Sequence, residues 1–197
     1  MLALVNNFLF LRNNCDYILG CMDKIHDIDR IVNDRNNQEI EKAVAAYLIE
    51  NKRTLTCAES CTGGYLSHLL TALAGSSAYF MGSIVAYSDE IKKNILCVPN
   101  EILLQDGAVS EACVVEMTQN ARKLFQTDYA IAVSGIAGPG GATLEKPIGT
   151  VWVAIALQNR CITHLFRFGN DNRTVIIRKT AMYALHLLLT ALINTKH

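Results

Sequence analysis

Three short segments carry side chains suited to nucleophilic or anion chemistry, and each follows an apolar run. In AESCTGG (58–64), Ser60 precedes Cys61, Thr62 and the pair Gly63 and Gly64. That sequence lets the backbone turn sharply and sets the Ser60 hydroxyl at or just before a helix N-terminus, among amides that have no helical acceptor. The GxSxG pattern is absent, and on the local pattern alone Ser60 or Thr62 reads first as a helix cap. A serine hydroxyl needs a base to take its proton. Of the five histidines, His68 and His186 fall in predicted helix bodies and read as packed or half-exposed residues. Lys92 is better placed, because it follows Tyr87 and Ser88 by about one helical turn and can return to the same sheet edge. A lysine serves as a base where burial or neighbouring positive charge favours its amine form. The plain alternative is that Lys92 and Lys93 are solvated surface residues. The third segment, Ser134 to Thr150, holds five glycines (Gly135, Gly138, Gly140, Gly141 and Gly149) and two of the three prolines, Pro139 and Pro147. Its backbone N–H groups can converge on an anion, although it is neither a P-loop nor a GxGxxG turn. A purely structural connection is the competing reading.

Elements must bring these segments together. Residues from Asn37 have an N-cap candidate, early acids and apolar positions Ile40, Val44, Ala45, Leu48 and Ile49, which predict an amphipathic helix ending near Lys52. TLTCAES then reads as a strand, and CTGGYLSHLLTALAG as a helix with Leu66, Leu69, Leu70 and Leu73 on one face and Gly75 at its end. GSIVAYS reads as a strand, SDEIKKNIL and SEACVVEMTQNARKLF as helices, and DYAIAVSGIAG as a buried strand. GTVWVAIALQNRCITHLFRFG predicts an antiparallel hairpin, and NDNRTVIIRKTAMYALHLLLTALI a closing helix. About five strands interleaved with five helices predict a single-domain, three-layer α/β/α sandwich with a mixed sheet over 37–197. Ligands of such sheets bind where strands run out into loops and helix N-termini, which is where all three segments fall.

Composition narrows the function class. The 197 residues are 51% hydrophobic and 18% charged, in the ordinary globular range. Eighteen basic residues offset eighteen acidic ones, so no global field favours nucleic acid or an anionic membrane. Seven scattered cysteines without CxxC pairs read as reduced, mostly buried thiols and place the protein in the cytoplasm. Residues 1–36 read as a poorly defined N-terminal extension, without the charged n-region of a signal peptide. The most apolar stretch, Ala181 to Ile193, is shorter than a membrane span and reads as a core helix. Clustered metal ligands are absent from the sequence, and no metal or other cofactor is expected. Cys57 and Cys61, four residues apart, would share a face only if both were helical, which disfavours a thiol-dependent role.

Taken together, AESCTGG, the AYS segment with Lys92, GAVS (107–110), SGIAGPGG and KPIGTVWVA (146–154) stand in the order and spacing of the CinA C-terminal domain, which the chain resembles from about 37 to 193. Stand-alone proteins of that family are nicotinamide-nucleotide amidohydrolases, so the resemblance implies hydrolysis of the carboxamide of nicotinamide mononucleotide to nicotinic acid mononucleotide and ammonia. By the same resemblance Ser60 is the nucleophile, Lys92 the base and Tyr87 a supporting residue. Backbone amides near Cys61 and Thr62 would hold the oxyanion, and Gly63 would join them in binding the substrate. Ser134, Gly135, Gly138 and Arg173 would hold the phosphate or ribose, and homo-oligomerisation is expected. The family usually has an acidic residue directly before the arginine, whereas Asn172 precedes Arg173 here. The competing expectation is a non-catalytic nucleotide-binding or competence-related interaction module, in which Ser60 is only a cap.

Overall fold

The computed structural model describes residues 38–194, and the expected extension over 1–36 lies outside the described residues. The element order is α1 (Glu39–Glu50), β1 (Leu55–Glu59), α2 (Tyr65–Thr71), β2 (Phe80–Val85), α3 (Asp89–Asn94), α4 (Asn100–Gln105), α5 (Glu111–Phe125), β3 (Tyr129–Gly135), β4 (Thr150–Ala156), β5 (Cys161–Arg167) and α6 (Arg173–Ile193). The strands form one five-stranded sheet in the order β2-β1-β3-β4-β5. β1 is parallel to both neighbours, whereas β3, β4 and β5 pair antiparallel. The predicted mixed sheet is therefore present. This topology brings the ends of β1, β2 and β3 and the start of β4 to one edge of the sheet, so that the three chemical segments meet there.

Strand alternation assigns the two sheet faces to different layers. Cys57, Ile131, Val133, Val151, Val153 and Ile155 join the larger core with α1, α2 and α6. Ala58, Ala132 and Ala154 point the other way and pack with Cys113, Val114, Met117 and Ala121 of α5. β-Branched residues thus fill one face, while alanines let α5 lie close on the other. The two cores make the three layers that the sequence predicts.

Several boundaries differ from expectation for local reasons. α1 ends at Glu50 rather than near Lys52, which has φ +51 and turns the chain into β1. α2 covers only 65–71, since residues 60–64 form the turn before it and Gly75 opens a short 3₁₀ turn instead of closing the helix. α4 is a sixth helix, preceded by Pro99 with φ −55; the Pro-Asn-Glu sequence is its signal. The closing helix α6 has 21 residues, enough in length and apolarity to cross a membrane, where the apolar stretch alone is too short. Its buried residues, Ile176, Met182, Leu185, Leu188 and Leu192 among them, belong to the core shared with α1 and the sheet. It is the core helix expected.

Candidate active site

The turn after β1 is organised by Glu59, a fully buried residue. Its carboxylate accepts from the amides of Gly64, Leu66 and Ser67 and from the hydroxyls of Thr62 and Ser67. Those amides are the orphan donors at the start of α2, and the N-cap residue Gly64, φ +97, supplies no side chain to meet them. A carboxylate at the positive end of the helix is also favoured by its dipole. Glu59 therefore caps α2 from inside the sheet, and neither Ser60 nor the N-cap residue has to.

Backbone donors around this turn can be followed one by one. The Ser60 amide donates to Val133 O, Gly63 to Ser60 O, Tyr65 to Thr62 O and His68 to Gly64 O. With Gly64, Leu66 and Ser67 held by Glu59, Cys61 and Thr62 have the two amides of residues 60–68 left without a backbone or carboxylate acceptor among the described residues. Both directly follow Ser60. Of the two, Cys61 lines the same cavity as Ser60, which is the setting of an oxyanion donor.

Ser60 lines a cavity of about 300 Å³ with Cys61, Tyr87, Asp89, Lys92, Ser134, Gly135, Gly138 and Arg173. Lys92 is 1% exposed, on a six-residue helix whose neighbours are largely exposed. Its Nζ lies 3.5 Å from Asp89 Oδ1, a long ion pair to a carboxylate that is mostly in water. The solvated-lysine reading is thereby excluded for Lys92, whereas Lys93 is exposed and bonds Asn100. Arg173, the first residue of α6, donates from Nη1 to Gly138 O and from Nη2 to Tyr87 Oη, each at 2.7 Å. One guanidinium thus joins the glycine-rich loop to the end of the second parallel strand and still has N–H groups to offer.

The loop itself is closed at its base by Ile136 N to Thr150 O and Gly149 N to Ile136 O. Gly149 is obligatory, because φ is +84 and a Cβ would stand 2.3 Å from Gly169 O. Lys146 Nζ anchors the loop to Asp106 O. Ser134 lines the cavity but donates its hydroxyl to Ala108 O, and so fastens the GAVS segment. Gly135 serves packing, since a Cβ would collide with Val151 and Thr150 O.

The structure brings together Ser60, Cys61, Tyr87, Lys92, Ser134, Gly135, Gly138 and Arg173, all expected at the site. Thr62 and Gly63 do not line the cavity: the Thr62 side chain turns to Glu59 and Gly63 makes the bend with φ +59. Cys61 has its thiol pushed up to about 12, chiefly by burial, and Cys57 is raised well above the usual thiol range for the same reason. Neither is a thiolate at neutral pH. Among the described residues no cluster of three His, Cys, Asp or Glu side chains could hold a metal. Sequence reasoning missed Glu59 and Asp89. Glu59 had a signal, an acid ending a buried strand with hydroxyls three and eight residues on.

The chain is similar in sequence and fold to known proteins. A CinA-like protein of Thermotoga neapolitana is 48% identical over 153 residues, 78% of this chain and 37% of the relative. A CinA-like protein of Cytophaga hutchinsonii is 43% identical over 169 residues, 86% of this chain and 40% of the relative. The chain spans about two-fifths of the length of these relatives. Among solved structures, the competence-damaged protein (CinA) superfamily protein of Klebsiella pneumoniae 700603 superimposes with a TM-score of 0.78 at 39% identity, covering 81% of this chain and 99% of that one. The competence/damage inducible protein of Agrobacterium tumefaciens gives 0.77 at 36% identity, over 79% and 94%. The profile of the CinA C-terminal domain matches residues 37–192, and the chain belongs to that family.

Proposed function

We propose that the chain hydrolyses the carboxamide of nicotinamide mononucleotide, with Ser60 as nucleophile and Lys92 as general base. The observation that carries this reading is the pairing of a serine relieved of capping by Glu59 with a buried lysine in one small cavity. Ser60 Oγ attacks the amide carbon while its proton passes to the Lys92 amine. The carbonyl oxygen becomes an oxyanion held by the Cys61 amide, beside Ser60 in the cavity lining. Lys92 then returns the proton to the departing nitrogen, ammonia leaves, and water attacks the acyl-serine with Lys92 again as base.

The remaining groups position the substrate. Arg173 and the loop amides around Gly138 take the phosphate, a match of planar guanidinium to oxyanion that lysine would not reproduce. Tyr87 stands at the mouth, 59% exposed, with its phenol fixed by Arg173. Reduced thiols and a substrate of central metabolism both fit a cytoplasmic setting.

Ammonia release from nicotinamide mononucleotide by the purified chain tests the proposal. Ser60→Ala and Lys92→Met are each expected to lower kcat/KM on the order of 10³-fold, while Cys61→Ser stays within a few-fold of wild type. Full activity in Ser60→Ala would refute the mechanism. A folded wild type that binds the nucleotide without releasing ammonia would make the chain a binding module.

A further inference from the structure

A second cavity, of about 460 Å³, lies against residues 142–150 of the glycine-rich loop, and shares no lining residue with the first. Its volume falls in the range of small-molecule sites. Pro147 and Ile148 form an apolar side; Thr143, Thr150, Arg167 and Asn170 supply polar groups, and no acidic residue lines it. Thr150 and Arg167 are direct cross-strand partners on β4 and β5, so their side chains leave the same face of the sheet.

Two features there are unexplained by the fold. The Thr150 hydroxyl is buried without a hydrogen-bond partner, in a residue only 3% exposed, although buried polar groups are ordinarily satisfied. Arg167 is exposed, with neither an ion pair nor a hydrogen bond to another described residue. The wall is also preformed. Phe168 N donates to Gly149 O, and the close approach of Gly149 to Gly169 locks the loop to the connection after β5.

We propose that this cavity is a second ligand site, for a small molecule bearing a carboxylate or phosphate on a short apolar body. Arg167 takes the negative charge, the Thr150 side chain turns its buried hydroxyl to donate to the same group, and Pro147 and Ile148 cover the apolar part. The site does not depend on the amidase reading, since none of its residues belongs to the first cavity.

The test is a titration of the full chain with inorganic phosphate and, separately, acetate, followed by backbone amide NMR and by thermal unfolding. Saturable shifts at the Thr143, Thr150 and Gly169 amides are expected with at least one anion, and they persist in Arg173→Met, which removes the cation of the first cavity. Arg167→Met should weaken that binding about tenfold or more. Thr150→Val, which removes the unpaired hydroxyl, should raise the Tm of the unliganded protein and lose most of the further rise that anion gives wild type. Shifts confined to the Gly138 region and abolished by Arg173→Met would overturn the proposal. So would anion binding unchanged in both Arg167→Met and Thr150→Val.

Discussion

Two parallel strands of this sheet end in a serine near a helix start, and the two serines have different work. After β2, Ser88 is an ordinary N-cap: its Oγ accepts from the Ile91 amide, and Asp89 and Glu90 follow in the first turn of α3. After β1, Ser60 caps nothing, because Glu59 reaches α2 from within the core with a carboxylate that accepts from three amides and two hydroxyls. The same residue type at the same topological place is consumed by the fold in one case and released to the cavity in the other. The difference lies in the preceding residue, glutamate in one turn and tyrosine in the other. A buried acid is costly to place in a strand unless donors surround it, and here the donors are the ones that the serine would otherwise serve.

The largest test of that contrast is Glu59 itself. Glu59→Ala strands three amides and two hydroxyls in a buried turn, and is expected to cost about 3 to 5 kcal/mol of unfolding free energy. Glu59→Gln keeps the shape but replaces one acceptor with a donor facing other donors, for about 2 kcal/mol. The proposed amidase activity should fall in Glu59→Gln well beyond any loss of folded protein, because the turn that aims Ser60 and the Cys61 amide is released. Urea unfolding with kcat measured on the folded fraction separates the two effects. A Glu59→Gln protein as stable and active as wild type would remove the distinction between the turns.

The contrast also marks how far the sequence could be read. The strands and their faces were legible because the sheet is central and its alternation is strong: Ile131 and Val133 against Ala130 and Ala132 is a pattern with one outcome. The convergence of Ser60, Lys92 and Arg173 followed from segments that each end a strand or open a helix. Burial of Lys92 was not legible. DEIKKN is mostly charged, and only tertiary packing, with the turn after α3 burying Leu96 and Val98 against α5, decides which of two adjacent lysines is covered. Thr62 was misread for a related reason. Its hydroxyl was available to cap a helix or meet a ligand, and it does neither, since a carboxylate three residues back outcompetes both. The helix over 100–105 was missed because its six residues carry little periodicity, and Pro99 was its only strong signal.

A second carboxylate, at the opposite end of β1, gives a scale for the first. Asp128 accepts from the Thr54 amide and hydroxyl and from Arg53 Nη1 at 2.7 Å. Burial acts to raise its pKa, but the Thr54 amide, the Arg53 guanidinium and the Thr54 hydroxyl together hold it below the ordinary aspartate value. An acid lowered in the folded state stabilises the fold above its unfolded pKa, and this contribution disappears as the pH falls through the folded one. Asp128→Asn is therefore expected to destabilise at pH 7, with the difference from wild type shrinking below about pH 3.9. Because Arg53 is well exposed, the effect should be no more than about 1 kcal/mol. Urea unfolding at pH 7 and pH 3 checks both size and sign. A loss as large as that of Glu59→Ala would mean that burial of the Glu59 turn adds nothing to its importance.

Ser88 should give the smallest effect. Its hydrogen bond to Ile91 is 3.3 Å long and exposed, and the helix it caps has six residues. Ser88→Ala is expected to cost about 0.5 kcal/mol, with Ser88→Asp restoring it. The informative readout is the rate of the proposed amidase reaction, because α3 carries Lys92. Lys92 is held in place by burial, and the turn that follows it packs Leu96 and Val98, both buried, into the core under α5. If that packing fixes the lysine, the rate survives the loss of the cap. A kcat for Ser88→Ala within about twofold of wild type, beside a large drop in Glu59→Gln, would show that one turn serves the site and the other only its helix. A large drop in both would mean that the two serines, one exposed to the cavity and one spent as a cap, hold the site together equally.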